Sequence, residues 1–289
     1  MKPAPFEYHR PNTRAEVDSL LQEYGSRARI LAGGQTLVPM LNMRLISPAH
    51  LIDLNGLKNE SEAPRLEGQT VSFGPLVRHE AVEHSSIVRG HVPLLREATE
   101  HVGHAAIRSR GTFVGAISHA DPASELPPVL VLLGGEVRAR STRGVRSIAS
   151  DSFFAGPLEP AIKSDEWIEE VRLPCRANGE GFAIEEFTRR DADFAICGVA
   201  VCARRVDETI LATLAFFSVG DMPTRLSLTP VTTDDLMEDR LESVVRTLIA
   251  EHLEPPDDIH ASAAYRRHLA ERLAIRAVRR AAISVRAAP

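Results

Sequence analysis

The sequence has few cysteines and no run of apolar residues long enough to cross a membrane. Of its 289 residues only three are cysteine and one is tryptophan. A sparse, odd cysteine count does not indicate a disulfide framework, and an iron–sulfur cluster needs four thiolates in a recognisable spacing. No stretch reaches the roughly 18 apolar residues of a spanning helix. The sequence therefore predicts a chain with no iron–sulfur cluster of its own and no membrane insertion.

Several nucleotide-binding and catalytic signatures are also missing. No G-x-G-x-x-G occurs, which disfavours a Rossmann dinucleotide site, and no G-x-x-x-x-G-K-[ST] occurs, which disfavours a P-loop. No G-x-S-x-G nucleophile elbow is present. The net charge of −5 does not favour binding to nucleic acid. The first residues, Met1–Pro5, are not followed by an apolar signal core, so we expect a cytoplasmic protein.

A strand-like run that ends in paired glycines is the first informative feature. The run at residues 28–31 leads into Ala32–Leu37, which reads Ala-Gly-Gly-Gln-Thr-Leu. Paired glycines allow a sharp turn whose backbone N–H groups face outward, and such a concavity suits phosphate oxygens. Thr36 is the predicted N-cap of a helix over residues 37–44. At this point an ordinary turn at the end of a strand is an equal alternative.

A second stretch, residues 103–127, brings glycine, histidine and acidic residues into close succession. Its centre, residues 112–116, is predicted as a glycine-bearing loop. Asp121-Pro122 predicts a helix start, with the aspartate as N-cap and the proline in the first turn. His119 has two interpretations, a donor to phosphate or a core histidine bonded to the backbone.

In this order the two stretches resemble the FAD-binding medium subunit of the molybdenum hydroxylases, a group that includes carbon monoxide dehydrogenase and xanthine dehydrogenase. The resemblance covers nearly the whole chain and also takes in residues 51–54, 165–174 and 265–269. It implies an α+β chain with an FAD-binding domain of the vanillyl-alcohol oxidase (PCMH) type. A small domain with a three-stranded antiparallel sheet and a helical bundle is expected to follow.

The domain limits expected from this resemblance and from the chain's composition fall at residue 175. The FAD-binding domain is predicted over residues 1–175, with subdomains at about 1–57 and 58–175, and the C-terminal domain over residues 176–289. The segment from Pro174 to Gly181 is polar and interrupted by proline and glycine, which is typical of a boundary.

The resemblance also implies where FAD contacts this chain. The two glycine-bearing stretches are expected to close on the diphosphate from two sides, Glu125 to contact the nucleotide end, and Ile168 to lie against the flavin. No catalytic or metal-binding residue is expected, because the His101 and His104 pair lacks a third ligand at matching spacing. The implied FAD-binding residues are Leu31, Ala32, Gly33, Gly34, Gln35, Thr36, Leu37, Val102, Thr112, Val114, Gly115, Ala116, His119, Asp121, Glu125 and Ile168.

Two residues of the second stretch depart from the family pattern. Val114 stands where relatives have glycine, and a β-branched residue at positive φ is strained. Either its backbone has a negative φ or the loop is reshaped. Ala116 replaces a serine or asparagine and removes one side-chain hydrogen bond. A flavin-free structural subunit is therefore one alternative function.

The function implied by the resemblance is electron transfer. This chain would bind FAD, take electrons from [2Fe-2S] clusters of a small subunit, and work beside a large subunit that holds the molybdopterin cofactor. A dimer of heterotrimers is the expected assembly. A stand-alone FAD-dependent oxidoreductase is the other alternative. The arginines at 276, 279, 280 and 286 indicate either a docking face or a solvated helix face.

Overall fold

The protein is built on three main sheets. Its structure is a computed structural model that describes residues 2–58, 60–237 and 239–285. A three-stranded sheet lies within residues 7–53, a five-stranded sheet within 65–174, and another five-stranded sheet within 180–232. Within the described ranges, no helix combines the length and the apolar composition that crossing a bilayer requires. The mixture of helices and strands confirms the predicted α+β class.

The first region is a small parallel unit, as its helix–strand alternation suggests. The side chain of Thr13 caps the first helix by accepting from the N–H of Glu16 (3.3 Å), and Val17 and Leu21 on that helix are buried. The strand order is β1-β3-β2, all parallel. The elements are β1 (Glu7–His9), α1 (Arg14–Tyr24), β2 (Ala28–Leu31), α2 (Leu37–Asn42) and β3 (His50–Asp53), with 3-10 turns at Gly25–Arg27 and Leu54–Gly56.

The second region is an antiparallel sheet, of order β4-β5-β10-β6-β7, covered by short helices. Its elements, with a 3-10 turn at Ser150–Ser152, are β4 (Arg65–Glu67), β5 (Thr70–Phe73), α3 (His79–His84), α4 (Ser86–His91), α5 (Pro93–His101), α6 (Ala105–Arg108), α7 (Phe113–His119), α8 (Leu126–Leu132), β6 (Glu136–Ser141), β7 (Gly144–Ala149), β8 (Phe154–Gly156), β9 (Glu159–Pro160) and β10 (Trp167–Pro174).

The predicted helix start at Asp121-Pro122 is wrong. The carboxylate of Asp121 accepts from the N–H of Ala123 (2.9 Å) and so stabilises a turn, while α8 begins only at Leu126. The Pro-Pro pair at 127–128 lies in the first turn of α8, where missing N–H donors cost nothing because those donors have no partner within the helix.

The third region is the predicted antiparallel meander, enlarged by two short strands. The order is β11-β12-β13-β14, and β15 also pairs with β13. Two helices cover one face of this sheet. The elements are β11 (Glu180–Phe187), β12 (Cys197–Val206), β13 (Thr209–Phe217), β14 (Thr224–Ser227), β15 (Val231–Thr232), α9 (Asp239–His252) and α10 (Ala263–Ser284), with a 3-10 turn at Asp235–Met237.

The largest hydrophobic core crosses the predicted domain limit at residue 175. It joins Phe73 and Phe113 of the second region to Ile184 and Phe217 of the third sheet. The other face of that sheet packs on α9 and α10, so the sheet is buried on both faces. The hydrophobic clusters continue across residues 57 and 175. The subdomain and domain limits predicted there therefore stay predictions.

The arginines of α10 are partly solvated and also bonded to the rest of the chain, with the side chains of Arg276 and Arg280 67% and 46% exposed. Arg276 and Arg280 both donate to the carboxylate of Glu185 on β11 (2.6 and 2.8 Å), and Arg280 also pairs with Glu97 on α5. Arg279 donates to a backbone carbonyl (2.6 Å). These bonds fasten α10 to the sheet and to the second region. The remaining arginine of the set, at 286, lies outside the described residues.

Candidate functional site

The first glycine stretch lies at the carboxyl end of β2, between this strand and α2. Gly34 has a φ of 74°, a conformation that L side chains rarely adopt, and its carbonyl accepts from the N–H of Val38 (3.0 Å). Within the described residues, no acceptor is bonded to the backbone N–H groups of residues 33–36. Thr36 occupies the predicted N-cap position of α2, but its side chain makes no capping bond, so that part of the prediction is wrong. The stretch presents consecutive free donors, which is the geometry of an anion-binding concavity.

The second stretch begins a helix and is not the predicted loop. Thr112 caps α7, its hydroxyl accepting from the N–H of Gly115 (3.1 Å). A Cβ at Gly115 would lie 2.6 Å from that hydroxyl oxygen, so this cap requires glycine there. Val114 is a helical residue, 4% exposed, without positive φ. Of the two alternatives for Val114, the one without backbone strain is therefore correct. Its side chain lies in the main hydrophobic core, and Ala116 packs against that core.

The two stretches are in direct contact. A Cβ placed on Gly33 would lie 2.4 Å from the carbonyl oxygen of Arg110 and 2.8 Å from Cα of Gly111. Glycine is required here because the backbones approach too closely for any side chain. The two stretches therefore lie side by side in the fold, and their closure on a diphosphate stays a prediction. Two residues that sequence reasoning missed, Asn55 and Arg78, lie at this junction.

Three predicted site residues, His119, Asp121 and Glu125, lie between the last residue of α7 and the start of α8. The Nε2 of His119 is 3.8 Å from a carboxylate oxygen of Asp121, and both side chains are about one quarter exposed. Glu125 follows at the beginning of α8 and is only 5% exposed. The turn is held to the third sheet, where the N–H of Ser218 donates to the carbonyl of Pro122 (2.8 Å). The first two side chains therefore face solvent in part, and the third is buried.

Burial dominates the electrostatics of Glu125. The pKa of Glu125 is raised to about 8, mainly by loss of solvation; the nearby Glu186 contributes to the rise and His101 opposes it. His101 itself pairs with Glu186 (3.2 Å), and this hydrogen bond raises the pKa of His101. The second oxygen of Glu186 is buried and has no partner within the described residues. Sequence reasoning missed Glu186, because nothing in the pattern of β11 shows which face of the strand meets α5.

The raised pKa of Glu125 predicts a pH-dependent stability. The folded chain holds this proton up to about pH 8, whereas an unfolded chain releases it near pH 4.5. Between these values the folded state binds more protons, so stability falls as pH rises. We expect Glu125→Gln, which mimics the protonated acid, to stabilise the FAD-free protein by about 1–2 kcal/mol at pH 8 and by almost nothing at pH 4.5. Thermal unfolding at both pH values measures this, and an equal shift at the two pH values contradicts it.

The remaining predicted site residues are spread around this region. Ile168 is 4% exposed on β10 and shares the main core with Phe113 and Val114. Val102 follows α5, and its carbonyl accepts from Arg108 (3.3 Å). Neither placement tests contact with a flavin. Leu31, Ala32, Gln35 and Leu37 are half-buried beside the paired glycines.

The arrangement fits an FAD molecule at its diphosphate. Free N–H donors at residues 33–36 suit its phosphate oxygens. In contrast, the N–H groups of Phe113, Gly115 and Ala116 already donate within the chain. The first stretch is thus the better supplied with donors. Asp121 has a carboxylate that is about one quarter exposed, whereas Glu125 is buried.

Comparison with known sequences agrees with this geometry. Residues 4–176 match the family "FAD binding domain in molybdopterin dehydrogenase", and residues 182–281 match "CO dehydrogenase flavoprotein C-terminal domain". Over 98% of its length the chain is 38% identical to 96% of caffeine dehydrogenase subunit beta from Pseudomonas sp. (strain CBB1). Over 96% of its length it is 35% identical to 98% of the nicotine 6-hydroxylase medium subunit from Paenarthrobacter nicotinovorans.

Solved structures show the same fold. The chain superposes with a TM-score of 0.90 on a chain of carbon monoxide dehydrogenase from Hydrogenophaga pseudoflava, at 29% identity, covering 99% of this chain and 100% of that one. Quinoline 2-oxidoreductase from Pseudomonas putida 86 gives the same TM-score and identity, with 99% of each chain covered.

Fold and matched sequences together define a class, the FAD-binding subunits of oxidoreductases. Within this class, the chain belongs to the family of FAD-binding medium subunits of the molybdenum hydroxylases. The resemblance read from the sequence is confirmed, as are the predicted class of fold and the predicted cofactor.

Proposed function

We propose that this protein is the electron-transfer subunit of a multi-subunit molybdenum hydroxylase. It would take electrons from the [2Fe-2S] clusters of a small subunit and pass them to a final acceptor, beside a large subunit that carries the molybdenum cofactor. The observation that supports this most is the contact of the two glycine-bearing stretches, with free N–H donors at residues 33–36. The relatives called medium subunits support the heterotrimer, and a dimer of heterotrimers is our proposal for the assembly.

In this proposal the chain binds and orients the cofactor. Bound FAD supplies the acceptance and release of electron pairs. The backbone of Gly33–Thr36 holds the diphosphate, while Asp121 and Glu125 accept from or donate to hydroxyl groups. Ile168 and its neighbours in the core provide an apolar wall. The remaining FAD contacts that the sequence analysis predicts between Leu31 and Glu125 are part of the same proposal.

The proposal predicts that the isolated chain binds FAD but oxidises no organic substrate. Dithionite should bleach the bound flavin, since a chemical reductant needs only an accessible ring edge. Candidate substrates should bleach it only after the iron–sulfur and molybdenum subunits are added. N-heterocycles are suitable probes because relatives are named for caffeine, nicotine and quinoline, and carbon monoxide is another. Anaerobic flavin absorbance with and without the partners measures this.

Three outcomes separate the alternatives. Reduction of the single chain by a substrate at a catalytic rate would establish the stand-alone oxidoreductase instead. A purified chain that is colourless and takes up no added FAD would establish a flavin-free structural subunit. Metal analysis of the co-purified complex should find molybdenum and iron in the partner subunits if the heterotrimer is correct.

A further inference from the structure

The side chains that connect the two glycine stretches belong to residues outside both stretches. Asn55, just after β3, donates from Nδ2 to the carbonyl of Ala32 (2.9 Å) and to a carboxylate oxygen of Asp53 (2.6 Å). Asp53 in turn accepts from the hydroxyl of Tyr8. Asn55 is therefore fixed in orientation, with its Oδ1 left to accept from another group.

Arg78 provides that group and joins the two stretches. Its guanidinium donates to Oδ1 of Asn55 (2.6 Å) and to the carbonyl of Arg110 (2.5 Å). The backbone beside it is also tied to the second stretch, since residue 78 forms a bridge with Thr112 and the N–H of His79 donates to the carbonyl of Gly111 (3.0 Å). A continuous chain of hydrogen bonds thus runs from the carbonyl of Ala32 to that of Arg110.

The charge of Arg78 is not neutralised by an ion pair within the described residues. Its hydrogen bonds go to neutral oxygens, and no carboxylate lies within 4 Å of it in the described part of the chain. Burial lowers the pKa of Arg78, and the nearby Arg110 lowers it further, against opposing effects of Glu62 and Asp53. A half-buried cation without a carboxylate partner favours an anion beside it. Many other arginines of this chain, such as Arg14 and Arg146, are paired with carboxylates.

We propose that Arg78, oriented by Asn55, is a positioning residue for FAD: it holds the two glycine stretches at the spacing that the diphosphate requires and balances the diphosphate charge. This inference rests on the proposed FAD binding and assigns two residues to it that the glycine motifs do not contain. Lysine at position 78 would keep the charge, but its single ammonium group cannot span both acceptors as the guanidinium fork does.

The test compares variants of the FAD-free full chain by titration with FAD and with ADP. Arg78→Gln should raise both dissociation constants about tenfold or more, as expected for a charge-assisted hydrogen bond. Arg78→Lys should lie between this variant and wild type, and Asn55→Ala should weaken binding severalfold. Arg89→Gln, an exposed arginine on α4, is the control for loss of one positive charge and should bind like wild type.

Two further readouts distinguish this role from general stability. Arg78→Gln should reduce the salt dependence of ADP binding, because a cation that acts on the diphosphate has been removed. The midpoint of thermal unfolding without ligand shows whether each variant is folded at the assay temperature; if Arg78→Gln is not, Arg78→Lys and Asn55→Ala decide. Folded variants that bind FAD and ADP within twofold of wild type would overturn the inference. A wild type that binds no FAD would instead overturn the proposed function.

Discussion

Replacing Gly33 by alanine is expected to abolish FAD binding and leave the chain folded. The new methyl group would lie 2.4 Å from the Arg110 carbonyl oxygen and 2.8 Å from Cα of Gly111, and neither backbone atom moves as easily as the end of a side chain. The two stretches must separate, which removes the spacing of the site. We expect FAD affinity to fall by about 100-fold or more, which corresponds to roughly 2.7 kcal/mol of binding free energy. The overpacking itself should lower the free energy of unfolding by about 1–3 kcal/mol.

Gly90→Ala is the matched control. A Cβ at Gly90 meets no atom within 4 Å, and this glycine lies in the helix α4. Alanine there should stabilise the helix by up to about 1 kcal/mol and leave FAD affinity unchanged. Flavin content after purification and a fluorescence titration with FAD measure both variants. Full flavin content in Gly33→Ala would show that the junction is not at the cofactor.

Replacing Arg266 by methionine should produce the largest loss of stability. This arginine of α10 is 4% exposed, pairs with Asp258 (2.6 Å), and donates to the carbonyls of Ile196 and Ser218. Methionine fills part of the volume but leaves buried carbonyls without donors. Each buried acceptor that loses its donor costs about 1–3 kcal/mol, so we expect the loss of both to cost about 2–6 kcal/mol. Because the N–H of Ser218 holds the turn before Glu125, some loss of FAD affinity should accompany it.

Urea unfolding of Arg266→Met and of Arg246→Met tests this expectation. Arg246 pairs with Glu271 at 3.7 Å on the surface, and its loss should cost at most about 1 kcal/mol. The difference between Arg266→Met and wild type should also shrink in acid. The Arg266 side chain lowers the pKa of Asp258 to about 2, below its ordinary 3.8, so this contribution is complete above pH 4 and is lost as pH falls through 2. Equal unfolding midpoints for both variants would contradict the assigned role.

The local order of the chain was predictable wherever one short segment determines the structure. The capping of α1 by Thr13 follows from the sequence of a single turn, and so does the end of β2 at the paired glycines. The antiparallel meander of β11, β12 and β13 follows from strand length and spacing. The resemblance to a family added the fold and the cofactor, which no single motif carries.

Predictions failed where distant residues compete with local preference. Residues 112–116 were expected to form a loop, but Thr112 caps a helix over Phe113–His119 whose apolar side is buried in the main core. At Asp121 the carboxylate stabilises a turn, since the turn is anchored by Ser218 from the third sheet. Such outcomes depend on contacts between segments far apart in the chain, which periodicity does not show.

The family, the cofactor and the first glycine stretch could be recognised from the residues alone. The three-dimensional arrangement adds which residues meet. Asn55 and Arg78 lie between the two glycine stretches, and Glu125 is buried so that the pKa of its carboxyl rises to about 8. Such features escape a sequence pattern because hydrogen-bond geometry and desolvation depend on distances between atoms in space, whereas local patterns report only neighbours along the chain.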